Sequence, residues 1–358
     1  MNERIDLIIM AKKRIFELPE TKGKFELSGI VNGTKKDNFY KEIKTKTKKN
    51  MRIVNYGLSY DKDCAVYENL TGMEKEKVYF SKKNKDNKVE TEAVSWADRF
   101  SFNKEGYRLM GVNTGVKKKL NEEGKEVNDK KVLTEFDSAK EIAENLVDGK
   151  SVFTKGKIEF SSFTDDKGNK RRSVKLVPNQ VSLCSDIDFS KEDFVPKHNF
   201  NQVIVFMGIE KEKVDEKETG RAIVSAKIVN YDSIEDAEFI IEKKELMALF
   251  KKNLKPYTAI KVSGNIISKQ ETETVTDTDV WGDEDEMEKV KSPFKTEFII
   301  TGAKPSTIDK ETYVQEKIEA AIEAVKKSKR AESDFGSSND DDSWGDTATD
   351  TDDEDFDW

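Results

Sequence analysis

Three stretches of the chain mix cations with aromatic rings. In residues 35–52, Lys35, Lys36, Lys41, Lys44, Lys46, Lys48, Lys49 and Arg52 face only Asp37 and Glu42, and Phe39, Tyr40, Tyr56 and Tyr60 lie within or just beyond the run. Arg99, Phe100, Phe102, Tyr107 and Arg108 form a second mixture. Phe160, Phe163, Lys170, Arg171 and Arg172 form a third, spread over a hairpin. The second half offers Arg221, Tyr231, Lys255 and Tyr257 at strand ends, against a weaker charge: residues 201–270 hold twelve bases and eleven acids. Such mixtures suit a single-stranded polynucleotide. Cations neutralise phosphates, and ring faces stack on bases at ~1–3 kcal/mol each, whatever the base. The plainer reading gives about half of these rings to the core and leaves many lysines as solubilising charge.

Other chemistries find little support. The single histidine, His198, has no nucleophile-and-acid setting around it, and neither a Gly-Lys-Ser/Thr phosphate loop nor a G-x-G-x-x-G motif occurs. Cys64 and Cys184 make no metal spacing and no disulfide framework, which fits a reducing cytoplasm. The densest carboxylate groups lie in segments too polar to fold, where metal ligands are not held rigidly. We therefore expect no enzyme, no metal and no cofactor. In residues 1–20, Arg4, Asp6 and Lys12-Lys13-Arg14 interrupt the apolar stretch Leu7–Met10, so no signal peptide is expected. No run reaches the ~18 apolar residues of a membrane span.

Charge is unevenly divided. Residues 331–358 hold twelve acids and no Lys or Arg, so removing them from the net charge of −8 leaves +4. Residues 271–288 hold nine more acids and no base, and removing those too leaves +13. A basic body thus carries two acidic segments, a sign asymmetry associated with nucleic-acid partners.

The positioning elements are mostly strands. Phe25–Val31 alternates with period two, and Met51–Tyr60 and Asp63–Leu70 form a hairpin about Asp61-Lys62. Lys77–Ser81 is a further strand, followed by a loop over 82–92. Phe136–Gly149 is a helix capped at Asp137 or Ser138, followed by a strand pair, Ser151–Phe160 and Arg172–Pro178. After a linker over 186–200 the plan repeats. Strands Val203–Gly208, Arg221–Tyr231 and Ala237–Glu242 precede a helix, Lys243–Leu254, and then strands Tyr257–Ile267 and Phe294–Gly302. Each half carries a glycine in its fourth strand, Gly156 and Gly264. Three strands, a helix and two strands is the order of the OB-fold.

The expected fold class is thus mainly β with a few helices: two OB-fold-like barrels, a C-terminal helix and a disordered acidic tail. The segments are an N-terminal arm or helix over 1–20, a first barrel with insertions over 21–190, a linker over 191–200, and a second barrel over 201–305 with the acidic loop 271–288. A helix over 306–330 and the tail 331–358 complete the chain. In Asp309–Arg330 the apolar face Val314, Ile318, Ile322, Val325 favours packing on its own domain over docking elsewhere.

The tail closes with Asp352, Asp353, Glu354, Asp355, Phe356, Asp357 and Trp358. Such a composition cannot bury enough surface to offset chain entropy, and the terminal rings are superfluous for solubility; they suit docking into a base-rimmed pocket. An acidic tail with an aromatic end behind OB-folds resembles the phage-type single-stranded DNA-binding proteins, and Met51–Tyr56, Phe206–Ile209 and Leu254–Tyr257 are similar to segments of that group. The chain departs from the bacterial ending in having no proline there. The resemblance implies sequence-independent binding and protection of single-stranded DNA in DNA replication, recombination and repair, in the host cytoplasm if the protein is phage-encoded. The tail would recruit replication or recombination proteins, with no membrane partner. A rival reading is an adaptor or recombination mediator whose barrels bind protein; a nuclease ranks behind it.

Overall fold

The computed structural model describes residues 14–334, apart from 46, 63, 87, 166–167, 215, 270–271, 274–289 and 292–294. The chain is mainly β with three helices. Five strands form the first barrel: β1 (Gly23–Asn32), β3 (Asn50–Asp61), β4 (Cys64–Met73), β12 (Ser151–Thr164) and β13 (Lys170–Leu183). Between β1 and β3 the chain makes a short strand, β2 (Tyr40–Lys44), which pairs back on β3. β1 pairs antiparallel with β3 and β12, β3 with β4, and β12 with β13. The barrel closes where β13 runs parallel to β4, at Leu176 opposite Glu68. Helix α1 (Glu135–Asn145) precedes the fourth barrel strand.

The second barrel repeats this order with β14 (Lys197–Val214), β15 (Lys217–Val229), β16 (Ile234–Ile241), helix α2 (Lys244–Asn253), β17 (Thr258–Lys269) and β20 (Lys295–Asp309). β14 pairs with β15 and β17, β15 with β16, and β17 with β20. It too closes on a parallel contact, Ile240 opposite Ile299 between β16 and β20. Two closed strand rings with the helix before strand four are OB-fold-like barrels. The recurring glycine has one cause in both. A Cβ on Gly156 would stand 2.0 Å from the Val177 carbonyl oxygen, and one on Gly264 1.8 Å from that of Ile299. Both glycines sit at register shifts where strand four bends over strand five, so only glycine allows the two backbones to meet.

The barrels share one core. β1 pairs with β14 from Gly23 opposite Gln202 to Ser28 opposite Lys197. The buried residues of both rings, from Leu27, Val54 and Leu58 to Ile204, Val224 and Phe239, form one continuous cluster. His198, read from sequence as part of a linker, lies in β14 and stacks on Tyr60 with ring centroids 4.6 Å apart. Helix α3 (Gln315–Asp334) packs Ile318, Ala321, Ile322 and Val325 on the second barrel together with Phe16 and Leu18 of the N-terminal arm, as its apolar face predicts.

Between β4 and α1 an insertion builds its own small sheet, β5 (Lys77–Lys83), β6 (Val89–Ser95) and β7 (Arg108–Leu109), with order β6-β5-β7. β8 (Val112–Gly115) and β11 (Lys131–Leu133) extend the first barrel's sheet, and β9 (Lys118–Leu120) pairs with β10 (Glu126–Asn128). The short strands β18 (Thr272–Glu273) and β19 (Val290–Lys291) pair between β17 and β20. The predicted loop over 82–92 is therefore partly strand. Its residues are polar on both faces, and the apolar cover of Val78, Phe80 and Val94 comes from Phe102, Tyr107 and Leu109, further along the chain. The predicted cap of α1 also moves: Thr134 Oγ1 accepts from the Asp137 backbone N–H, so the helix begins at Glu135, one residue before the expected Phe136, and it ends at Asn145 rather than Gly149.

Candidate nucleic-acid interface

In OB barrels the outer face of strands two and three, with the loops after strands one and four, is the usual ligand side. In the first barrel that face is β3 and β4, and the loop after strand one is residues 33–49. Alternation sets what points outward. Val54, Tyr56, Leu58 and Tyr60 point into the barrel and are buried; Asn55 and Ser59, between them, point out. On β4, Val66, Glu68 and Leu70 point in, while Tyr67, Asn69 and Thr71 point out.

The outward groups form a neutral polar ladder. Asn69 Nδ2 donates to Asn55 Oδ1 at 2.6 Å, Thr71 Oγ1 donates to Asn69 Oδ1 at 3.1 Å, and Asn55 Nδ2 donates to the Asn38 carbonyl at 2.9 Å. Asn32 Nδ2 donates to Ser59 Oγ at 2.8 Å at the ladder's end. Tyr67 is half-buried beside Gly57, where a Cβ would approach the Tyr67 ring to 3.0 Å.

The basic run becomes a hairpin. β2 pairs with β3 from Tyr40 opposite Val54 to Lys44 opposite Asn50. Its turn is held by the Lys49 N–H donating to Thr45 Oγ1 and by Lys48 at φ 63°, a left-handed conformation. Lys41 lies opposite Ile53, on the outward side that also carries Asn55, because directly paired residues share a face. Lys41, Lys44 and Lys48 are exposed or nearly so and Lys49 is partly so, and among the described residues none of Lys35, Lys41, Lys44, Lys48 and Lys49 is ion-paired. Lys46 lies outside the described residues.

Several residues singled out from sequence sit elsewhere. Tyr56 is 1% exposed and donates to Glu68 Oε2 at 2.8 Å, so it cannot stack on a base. Tyr60 is buried, with its hydroxyl accepting from the Ser268 N–H and its ring against His198. Phe160 is buried against Phe239 and Phe298 of the second barrel. Parity was the available signal: Tyr56 and Tyr60 share their alternation with Val54 and Leu58, and Phe160 shares its own with Val152 and Ile158. The same parity points Tyr67 outward, and sequence reasoning passed over it.

Two arginines are tied into structure rather than left open. Arg99 donates from Nε and Nη2 to both carboxylate oxygens of Asp137, at 2.8 and 3.1 Å, and lies over the Trp96 and Phe100 rings. Arg52 bonds Glu42 at 3.1 Å and lies 3.7 Å over the Phe136 ring. This arginine pulls the Glu42 carboxyl below its usual range. Together they fasten the insertion and the hairpin to the start of α1. Phe100, by contrast, is 66% exposed. Tyr107 covers the insertion's small core, its ring against Phe102 and within reach of the Lys82 and Lys104 ammonium groups. Arg108 is exposed on β7.

On the second barrel the corresponding face is β15 and β16, and it is occupied from within. Arg172 pairs with Glu238 at 2.5 Å and Lys170 with Asp236 at 3.8 Å, so the tip of the β12–β13 hairpin rests on β16. Lys227 also bonds Asp236, at 2.8 Å. The Asn230 side chain donates to the Phe160 carbonyl at 2.9 Å. Arg221 is held by Glu297 at 2.5 Å and by Glu212 at 3.4 Å. These partners compete with phosphate for Arg172 and Arg221, which is a correction to their assignment as contacts. Arg171 bonds Asp165 in the hairpin turn, and Phe163 stays partly exposed near it. Tyr231 lies under the Arg14 guanidinium, and Tyr257, at φ 66°, packs with the α3 cluster and donates to Glu319 at 3.3 Å. Lys255 is exposed beside it. The tail residues Asp352, Asp353, Glu354, Asp355, Phe356, Asp357 and Trp358 lie outside the described residues, as does the acidic loop 271–288 apart from residues 272–273.

Glu68 is a buried carboxyl at the base of the first barrel's site. Desolvation pushes its pKa up to about 7, against the opposing effect of the Thr154 and Tyr56 hydroxyls that donate to it. Among the described residues no group of three His, Cys, Asp or Glu side chains is placed to hold a metal ion. No described helix is long and apolar enough to cross a membrane.

No curated protein matches the chain in sequence. Among solved structures it is similar to wild-type single-stranded DNA binding protein from Thermus aquaticus, at 9% identity and a TM-score of 0.40, over 80% of this chain and 93% of that one. A deletion mutant of the same protein gives 10% identity and a TM-score of 0.38, over 80% and 94%. Likeness at these TM-scores does not bear on the site. The YorF family model matches residues 81–338, well over half of the sequence. The chain belongs to the YorF family.

Proposed function

We propose that this protein binds single-stranded DNA without regard to sequence and shields it during DNA replication, recombination or repair. One observation carries the reading: Lys41, Lys44, Lys48 and Lys49, which have no ion-pair partner among the described residues, stand on a hairpin at the edge of the outer face of an OB-type barrel. Ammonium groups follow a phosphate track, and the Asn55–Asn69–Thr71 ladder offers neutral donors and acceptors to sugars and base edges. Tyr67 and the exposed Phe100 are the ring faces nearest in character to a stacking role, and Phe163 and Arg171 border the far hairpin. Nothing in this arrangement selects one base over another.

The acidic tail, residues 352–358, is assigned the recruitment of replication or recombination proteins on its composition, carboxylates closing on Phe356 and Trp358. A phage origin and a cytoplasmic site of action belong to the same reading. The test is a fluorescence titration of the full chain with poly-dT and with duplex DNA at two salt concentrations. Tight poly-dT binding that weakens steeply with salt, with much weaker duplex binding, is the expected result; equal affinity for both, or no salt dependence, overturns it.

A further inference from the structure

The inserted sheet β6-β5-β7 has two unlike faces. Inward, Val78, Phe80 and Val94 are buried under Trp96, Phe102, Tyr107 and Leu109. Outward, Tyr79 is 44% exposed and Val89 60%, and Met110, just past β7, is 55% exposed. The rest of the outward set is Lys77, Ser81, Lys83, Thr91, Ala93, Ser95 and, opposite Ser81, Arg108. None of the residues pointing outward from these three strands is acidic, whereas Glu90 and Glu92 of β6 point to the inner side, where Glu92 bonds Lys104. A face with one exposed ring, three cations and no carboxylate complements a strand of phosphates and bases. A protein partner would need acidic residues of its own to match it.

The face is also attached beside the lysine hairpin. The Asn50 N–H, at the turn end of the hairpin, donates to Glu74 Oε2 at 3.0 Å, and the Glu74 N–H donates to the Asn50 carbonyl at 3.0 Å. Glu74 stands just before Lys77, where β5 begins. The Arg99–Asp137 bond pins the far side of the insertion to α1.

We infer that the outward face of β6-β5-β7 is a second contact for the same DNA strand, with Tyr79 stacking on a base and Lys77, Lys83 and Arg108 meeting phosphates. This rests on the single-stranded DNA reading and adds a site to it. A strand leaving the hairpin then passes onto the inserted sheet, so the contact is used only by oligonucleotides longer than one barrel spans, about 4–16 nucleotides.

The test uses the full chain, the Tyr79→Ala variant and the triple variant K77Q/K83Q/R108Q, each titrated with a short dT oligomer of about 6 nucleotides and with a long one of about 30. All these side chains are at least partly exposed, and melting curves matching the wild type confirm that the fold is kept. The expected result is a loss of about tenfold for Tyr79→Ala on the long oligomer and none on the short one. The triple variant should also flatten the salt dependence on the long oligomer alone. Wild-type affinity of both variants for the long oligomer, as a protein-docking face would give, overturns the second contact and leaves DNA binding by the hairpin standing. A wild-type chain that binds neither oligomer overturns the underlying reading, and the second contact with it.

Discussion

The two barrels have the same strand order and opposite uses of the same face. In the first, the connection after strand one runs over residues 33–49 and forms a lysine hairpin beside a neutral, uncovered ladder. In the second, only residues 215–216 separate β14 from β15, and the outer face of β16 carries Asp236 and Glu238. Those acids receive Lys170 and Arg172 from the first barrel's hairpin. One face carries a neutral ladder; the other carries ion pairs to the neighbouring barrel's hairpin. Topology alone therefore does not make a binding site. The length and charge of one loop, and what already covers the strands, decide it.

The largest effect is expected at Phe160. Its buried ring joins the first barrel's hairpin to Phe239 and Phe298. Phe160→Ala leaves a cavity at that junction and should cost ~3–5 kcal/mol, seen as a drop in the denaturant midpoint. A change within ~0.5 kcal/mol would mean that the barrels are not joined through this ring.

The next effect is on binding. Exchanging Lys41, Lys44, Lys48 and Lys49 together for Gln should weaken poly-dT binding by about two orders of magnitude at low salt and reduce the salt slope by about 3, since each phosphate contact contributes ~0.7 on single strands. The corresponding loss on the second barrel, from Lys211, Lys213, Lys217 and Lys227 together, should be much smaller. Lys211 and Lys227 are already committed to Glu218 and Asp236.

The first barrel also carries a pH dependence of its own, because it encloses the Glu68 carboxyl, whose pKa is pushed to about 7. Below the ordinary value of 4.5, folded and unfolded chains both hold the proton and Glu68 brings no penalty. Between 4.5 and about 7 only the unfolded chain releases it, so stability falls by up to ~1.4 kcal/mol per pH unit. Above about 7 both states are ionised and the loss is complete. Glu68→Gln should remove this fall in a series of urea melts from about pH 5 to about 8; a fall of equal size in the variant would assign it to another group. The smallest effect is expected for Arg172→Gln. Its pair with Glu238 is about half exposed, so stability should shift by under ~1 kcal/mol and poly-dT affinity by less than about twofold.

Much of the fold was legible because β1, β4 and β15 alternate cleanly, and because α3 carries a regular apolar stripe. The site was only partly legible. A cluster of lysines and tyrosines in sequence does not say which side of a strand each occupies; Lys41 and Asn55 face out while Tyr56 and Tyr60 face in. Arg99 and Arg172 read as free cations because their carboxylate partners, Asp137 and Glu238, lie 38 and 66 residues away. The inserted sheet was legible only in its first strand, Lys77–Ser81; β6 and β7 were missed for a related reason. Its strands are short and polar, and the rings that cover it arrive from after β6.

The most direct test of the account is the slope of poly-dT affinity against salt for the wild type and for the four-lysine hairpin variant. The account predicts a steep wild-type slope that falls by about 3 in the variant, with the melting temperature unchanged. Equal slopes in the two proteins would contradict it.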